Sequence, residues 1–159
     1  MTGRGVVPSW GRMGVERIVA PSNEEYPRAR PPAVLVVEDE ALSRLAIAEH
    51  LRDCGYEVVE AGSADEAVVM LASGTVVDIV FSDVQTPGLM DGFELASWLH
   101  RQRPDVKVVL TSGYARAVDA ADDMCRHAPL LAKPYTHEQV VHSIREILIA
   151  GAGASRHED

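Results

Sequence analysis

An adjacent acid pair, Glu38-Asp39, ends one apolar run, and a third acid, Asp83, ends another. Ser112 and Lys133 close two further runs of the same kind. Three carboxylates drawn together repel one another, so the group implies a divalent cation to neutralise it. An all-oxygen donor set without nearby Cys or His suits magnesium rather than zinc, and the looped ligand pattern of calcium sites is absent. A carboxylate beside magnesium can attack phosphorus and form an acyl phosphate. The transferred group then needs a cation and a hydroxyl donor for its oxygens, and Lys133 and Ser112 have those chemistries. Only Lys107 and Lys133 are lysines, against thirteen arginines, so Lys133 is not the chain's ordinary cation.

These residues act together only if the fold gathers them. AVLVV (33–37), YEVVEA (56–61), VVDIVF (76–81), VKVVL (106–110) and PLLA (129–132) read as strands, several of them apolar on both faces as central parallel strands require. Helical patterns lie between them. Ser63 with Glu66 and Thr136 with Gln139 have capping-box spacing, and Val140, Val141, Ile144, Ile147 and Leu148 fall on one helical face. Five strand-then-helix units with right-handed crossovers predict a doubly wound α/β domain, a five-stranded parallel sheet with helices on both faces. In such a sheet the site forms at the carboxyl ends of the strands. Glu38, Asp39, Asp83, Ser112 and Lys133 all fall there, whereas strand two ends in nothing comparable. Taken alone, Asp83 before Pro87-Gly88 would read as a turn residue; the other strand ends reverse that reading. Glu40 reads as a cap of the following helix, and Asp91-Gly92 as the start of another.

Four segments, VLVVEDE (34–40), FSDVQTPGLMDG (81–92), VVLTSGY (108–114) and AKPY (132–135), resemble the signature segments of response-regulator receiver domains. The likeness extends over 33–149 and is similar to the receivers of hybrid histidine kinases. It implies a CheY-like, flavodoxin-like (βα)5 fold with strand order 2-1-3-4-5. It also implies that Asp83 accepts a phosphoryl group from a phosphohistidine on a sensor histidine kinase or a histidine phosphotransfer protein. Magnesium would be held by Asp39, Asp83 and the Gln85 backbone carbonyl, with Glu38 acting through water. Ser112, rather than Thr111, matches the switch hydroxyl, and Gly113 is the small residue after it. Lys133 matches the family's lysine, and the Lys133-Pro134 bond would be cis, a form found in only about 5–6% of X-Pro bonds. The contact face implied for a downstream protein target is the fourth helix, fifth strand and fifth helix; a homodimer through those helices is left open. The segment ARAVDAADDM (115–124), poor in large apolar groups, suits an element that repacks easily.

Two departures from the family pattern stand out. The loop after Asp83 is one residue longer than the commonest form, and Leu130 occupies the place where many receivers carry a switch aromatic. Tyr114 and Tyr135 are the candidates to take over that role.

Competing functions fit less well. An aspartate-nucleophile phosphatase of the haloacid-dehalogenase kind needs a general acid two residues after the nucleophile, where Gln85 stands. A flavodoxin-like cofactor carrier needs hydroxyl or Gly phosphate ligands in the first loop, where this chain has Glu38-Asp39. A phosphate sink or shuttle within a phosphorelay remains the alternative to a signalling switch. A receiver without phosphorylation would need a lost site residue, and none is lost.

Charge and composition set the boundaries. Residues 1–32 carry a balance of +2, with five of nine prolines and four of twelve glycines, and read as a disordered extension. Residues 33–149 carry −10 and read as the domain, while 150–159 read as a flexible tail. Such an acidic body disfavours direct nucleic-acid binding. No run approaches the roughly 18 apolar residues of a membrane span, nor is there a signal-peptide pattern, so a cytoplasmic protein is expected. Cys54 and Cys125 read as free thiols, and the six histidines as surface residues. After Leu148 the sequence leaves no room for an output domain, so the expected output is a protein contact.

Overall fold

The computed structural model describes residues 30–113 and 128–154. Within them the elements run β1 (Ala33–Val37), α1 (Ala41–Asp53), β2 (Glu57–Ala61), α2 (Ala64–Ala72), β3 (Ile79–Asp83), α3 (Gly92–Gln102), β4 (Lys107–Ser112), β5 (Leu130–Ala132) and α4 (His137–Ala154). All strand pairs are parallel, and the sheet order is β2-β1-β3-β4-β5. The helix expected over 115–124, together with Tyr114 and Cys125, lies outside the described residues.

Alternation along the strands sorts the core into two layers. Val34, Val36, Ile79, Phe81 and Val109 pack with Ile47 and Leu51 of α1 and Ile144 and Leu148 of α4. Leu35, Val37, Val80 and Leu110 point the other way, onto Leu71 of α2 and Leu95 and Leu99 of α3. Every residue of β1 is buried because helices cover both faces, which explains its unbroken apolar sequence. Cys54 is a free, buried thiol, and burial pushes its pKa up.

Helix starts follow local chemistry. Glu40 caps α1 by accepting from the Leu42 and Ser43 amides. Thr136 and Gln139 exchange hydrogen bonds reciprocally, as a capping box should. Asp91 and Glu94 form a second reciprocal box at α3. At α2 only half the box forms: Ser63 accepts from the Glu66 amide, but Glu66 reaches back to the Gly62 N–H.

Several boundaries differ from the sequence expectation. β3 begins at Ile79 rather than Val76, because the Asp78 carboxylate is engaged by the Ala33 amide (2.8 Å) and Arg30 (2.9 Å) at the strand's foot. β3 and β4 each run two residues past their apolar stretches, carrying Ser82-Asp83 and Thr111-Ser112 into the ladder. Just before β1, Arg30 to Pro32 are seated on the sheet, with the Pro32 carbonyl accepting from the Glu57 amide. The last helix, α4, continues to Ala154, beyond residue 149, passing close over β4: a Cβ on Gly151 would lie 3.1 Å from Lys107 Cε.

Candidate functional site

The carboxyl ends of β1, β3, β4 and β5 form one edge. β1 stops at Val37, where the Glu38 amide takes a last ladder bond to the Ala61 carbonyl (3.1 Å). The Glu38 side chain is buried, with 6% of the residue exposed, and Oε1 accepts from the Glu40 amide at 3.1 Å. The next residue, Asp39, is exposed. Asp83, the final residue of β3, is also 6% exposed. Carboxylate oxygens of Glu38, Asp39 and Asp83 lie within 4.8 Å of one another.

Both oxygens of Asp83 are engaged. Lys133 Nζ donates to Oδ2 at 2.6 Å, and the Gln85 N–H donates to Oδ1 at 3.0 Å. Lys133 is aimed by the junction after β5: its amide donates to the Ser112 carbonyl (3.0 Å), and the Lys133–Pro134 peptide is cis. Its stem passes Gly113, where a Cβ would lie 3.9 Å from Lys133 Cδ. Ser112, at 4% exposed, is the last residue of β4 and pairs in register with Ala132.

The electrostatics follow from this crowding. Burial and the neighbouring Asp83 charge raise the Glu38 pKa, against the opposing Glu40 amide and Lys133. Burial works against the Lys133 charge, but the hydrogen bond to Asp83 and the charges of Asp83 and Glu38 outweigh it, so Lys133 holds its proton more tightly than usual. An all-oxygen trio relieved by one ammonium fits magnesium, which takes a few carboxylates and keeps waters.

Of the two proposed aromatics, Tyr135 lies edge-on to Phe81 with centroids 5.9 Å apart, and burial raises its phenol pKa. Leu130 packs into the α2/α3 layer of the core. Sequence reasoning missed three supports. Arg44 donates to the Glu38 carbonyl at 2.9 Å. Asp65 accepts from the Leu89 amide at 2.9 Å. Gly92 lies so near β3 that a Cβ there would be 2.5 Å from the Asp83 carbonyl oxygen. Only Gly92 left a signal, as a poor helix former in the first turn just after an N-cap acid.

Comparison with known proteins agrees with this arrangement. A family model described as the response regulator receiver domain matches residues 34–145. Similar curated proteins include the sensor kinase CckA of Brucella abortus, 38% identical over 72% of this chain and 12% of that one. The transcriptional regulatory protein PdtaR of Mycobacterium tuberculosis is 42% identical over 73% of this chain and 56% of its own. The chain thus spans about half of PdtaR and a small part of CckA. The response regulator receiver protein CpdR of Brucella abortus is 30% identical, over 74% of this chain and 97% of its own length.

Among solved structures, a response regulator receiver protein from Sinorhizobium medicae superposes with a TM-score of 0.70 at 29% identity, covering 76% of this chain and 97% of that one. TrrA from Thermotoga maritima, in complex with Mg(2+)-BeF, gives 0.64 at 25%, covering 72% and 97%. PdtaR and CpdR are regulators by name, and among the described residues no helix is long and apolar enough to cross a membrane. With the family matched over most of the chain and its fold and acidic strand edge present, the protein belongs to the response regulator receiver domains, the CheY-like modules of two-component systems.

Proposed function

We propose that residues 33–149 work as a phosphorylation switch with Asp83 as the phosphoacceptor. The observation that carries this reading is the pairing of Asp83 with Lys133 at 2.6 Å, beside two further acids, at the end of a buried strand. The donor is a phosphohistidine of a sensor kinase or phosphotransfer protein. An Asp83 oxygen forms the new O–P bond as the N–P bond to the donor imidazole breaks, and the electron pair leaves with the imidazole. Lys133 then moves its ammonium from a carboxylate oxygen to a phosphoryl oxygen, and the Ser112 hydroxyl donates to another.

Asp39, Asp83 and the Gln85 carbonyl would hold magnesium directly, with Glu38 acting through water, and the ion would neutralise carboxylate and phosphoryl charge. Glu38 and Asp39 therefore serve the metal, and Asp83 alone is the nucleophile. The burial of Asp83 and Glu38 supports a site that excludes most water and prolongs the acyl phosphate. The protein acts in the cytoplasm as a regulator. Its modified form is recognised by a protein partner, and Tyr135 is the aromatic that reports the change.

The test is to incubate the full chain with magnesium and acetyl phosphate and to weigh it. A base-labile adduct of one phosphoryl group on the native protein, absent from Asp83→Asn, is expected. An equal adduct on Asp83→Asn, or none on the native protein with either acetyl phosphate or a cognate kinase, overturns the proposal.

A further inference from the structure

The loop between β3 and α3, residues 84–91, follows Asp83 directly and carries Gln85. Its base is well held. The Gly92 amide donates to the Val84 carbonyl at 2.8 Å, and the Thr86 hydroxyl donates to the Met90 carbonyl at 3.0 Å. Its tip is not held by packing, because Pro87 and Gly88 are exposed and Leu89 is 96% exposed. A tip that buries so little apolar surface should open readily unless a polar contact restrains it.

That contact comes from another element. Asp65, in the first turn of α2 and 24 residues away, accepts the Leu89 N–H on Oδ2 at 2.9 Å. Gly88 is shaped to receive it: its φ is +109°, and a Cβ there would overlap the Asp65 carboxylate. An acid in a first helical turn is ordinary, since it complements the helix dipole. That role does not require an oxygen to be spent on a distant amide, nor a glycine with positive φ beside it.

We propose that Asp65 is a positioning residue for the phosphoryl-transfer site: by clasping the Leu89 amide it holds the 84–91 loop, and with it Gln85, against Asp83. This rests on the reading of Gln85 given above, in which its backbone carbonyl faces the metal. The Gln85 amide is already on Asp83 Oδ1, so a loop that swings away withdraws both the amide donor and the carbonyl ligand together. The clasp acts on metal affinity and on the order of the loop rather than on the bond-making step.

The experiment compares the native full chain with Asp65→Ala, Asp65→Asn and Gly88→Ala. Two readouts need no phosphoryl donor: amide hydrogen exchange over 84–91 in metal-free protein, and magnesium affinity by titration calorimetry. Asp65→Ala is expected to speed exchange in this loop and to weaken magnesium binding, each by roughly three- to tenfold, the loss that one charge-assisted hydrogen bond in a partly exposed setting accounts for. Phosphorylation by acetyl phosphate should then need more magnesium for half-maximal rate while keeping its rate at saturation. Asp65→Asn keeps an acceptor oxygen and should lie within about twofold of native, and Gly88→Ala should resemble Asp65→Ala.

Unchanged loop exchange in a folded Asp65→Ala protein overturns the clasp, as does unchanged magnesium affinity. Asn behaving like Ala overturns the hydrogen-bond account. If Asp65→Ala does not fold, Gly88→Ala decides on the same two readouts. A native protein that binds magnesium but forms no adduct overturns the phosphoacceptor reading and leaves the clasp standing or falling on exchange and affinity alone.

Discussion

The Arg44 guanidinium donates to the Glu38 backbone carbonyl at 2.9 Å while its Nε lies 3.6 Å from the Glu60 carboxylate on β2. One side chain from the second turn of α1 therefore pins the acidic β1–α1 loop to the sheet's edge strand. Replacing Arg44 with Met keeps the stem and removes the donors. It should cost about 1 kcal/mol, since the pair is partly exposed. Magnesium affinity should fall several-fold because Glu38 and Asp39 lose their brace; urea denaturation and calorimetric titration measure the two effects.

Gly92 is the second brace, and it works by being small. A methyl group there would sit 2.5 Å from the Asp83 carbonyl oxygen and 2.7 Å from Val84 Cα, both backbone atoms that cannot step aside cheaply. Gly92→Ala is expected to destabilise by about 1–3 kcal/mol despite the better helix propensity of Ala. It should also slow adduct formation by moving Asp83. Gly153→Ala is the control, since a Cβ there meets nothing within 4 Å; it should be neutral or stabilising by up to about 1 kcal/mol.

Glu38 links the site to pH. Burial raises its pKa above the usual 4.5, so between those two values the folded protein binds more protons than the unfolded chain. Stability of the metal-free protein therefore falls as pH rises through that window, and ionised Glu38 is a burden at neutral pH. Glu38→Gln should raise the melting temperature of the metal-free protein by a few degrees at pH 7, with the gain vanishing at low pH. The same variant should bind magnesium more weakly. Thermal scans from pH 4 to 8, with and without magnesium, separate the two effects.

Lys133 has the opposite sign. Its pKa lies above the usual 10.5, so its contribution is complete at neutral pH and is lost as pH climbs through the raised value. Lys133→Met should be less stable than native at pH 7, with the difference shrinking above about pH 10.5. Adduct formation should drop by at least about tenfold, because no ammonium takes up the phosphoryl oxygen. Denaturation at stepped pH and a timed acetyl phosphate reaction check both.

The strand ends were legible because a parallel βα sheet brings every strand's carboxyl end to one edge. Hydropathy therefore brought Glu38, Asp83, Ser112 and Lys133 to neighbouring strand ends, while the choice of Ser112 over Thr111 came from the family resemblance. Hydropathy failed where polar residues continue a ladder. Ser82-Asp83 and Thr111-Ser112 extend β3 and β4 because they pair with each other and with Val37 and Ala132, not because they are apolar. It failed again at Val76, since the Asp78 contacts that start β3 come from residues over 40 positions away. Residues 150–159 read as a flexible tail, yet α4 continues through Gly151 and Gly153 to Ala154, with Gly151 close to Lys107 of β4. Arg44 and Asp65 could not be found at all, since an arginine or aspartate on a helix surface carries no mark of the backbone group it will meet.

The sheet order has one more consequence. AVLVV and IVF are uncharged, apolar strand sequences of the kind that would pair with another chain if exposed at an edge. The topology seats both at the centre, each flanked on two sides, and leaves only β2 and β5 as edges. β5 offers three residues, while β2 presents an exposed Glu57 and an ion-paired Glu60 to any strand that approaches. The two strands that rigidly deliver the acids are thus shielded from self-association by β2, which gives the site no residue, on one side, and by β4 and β5 on the other.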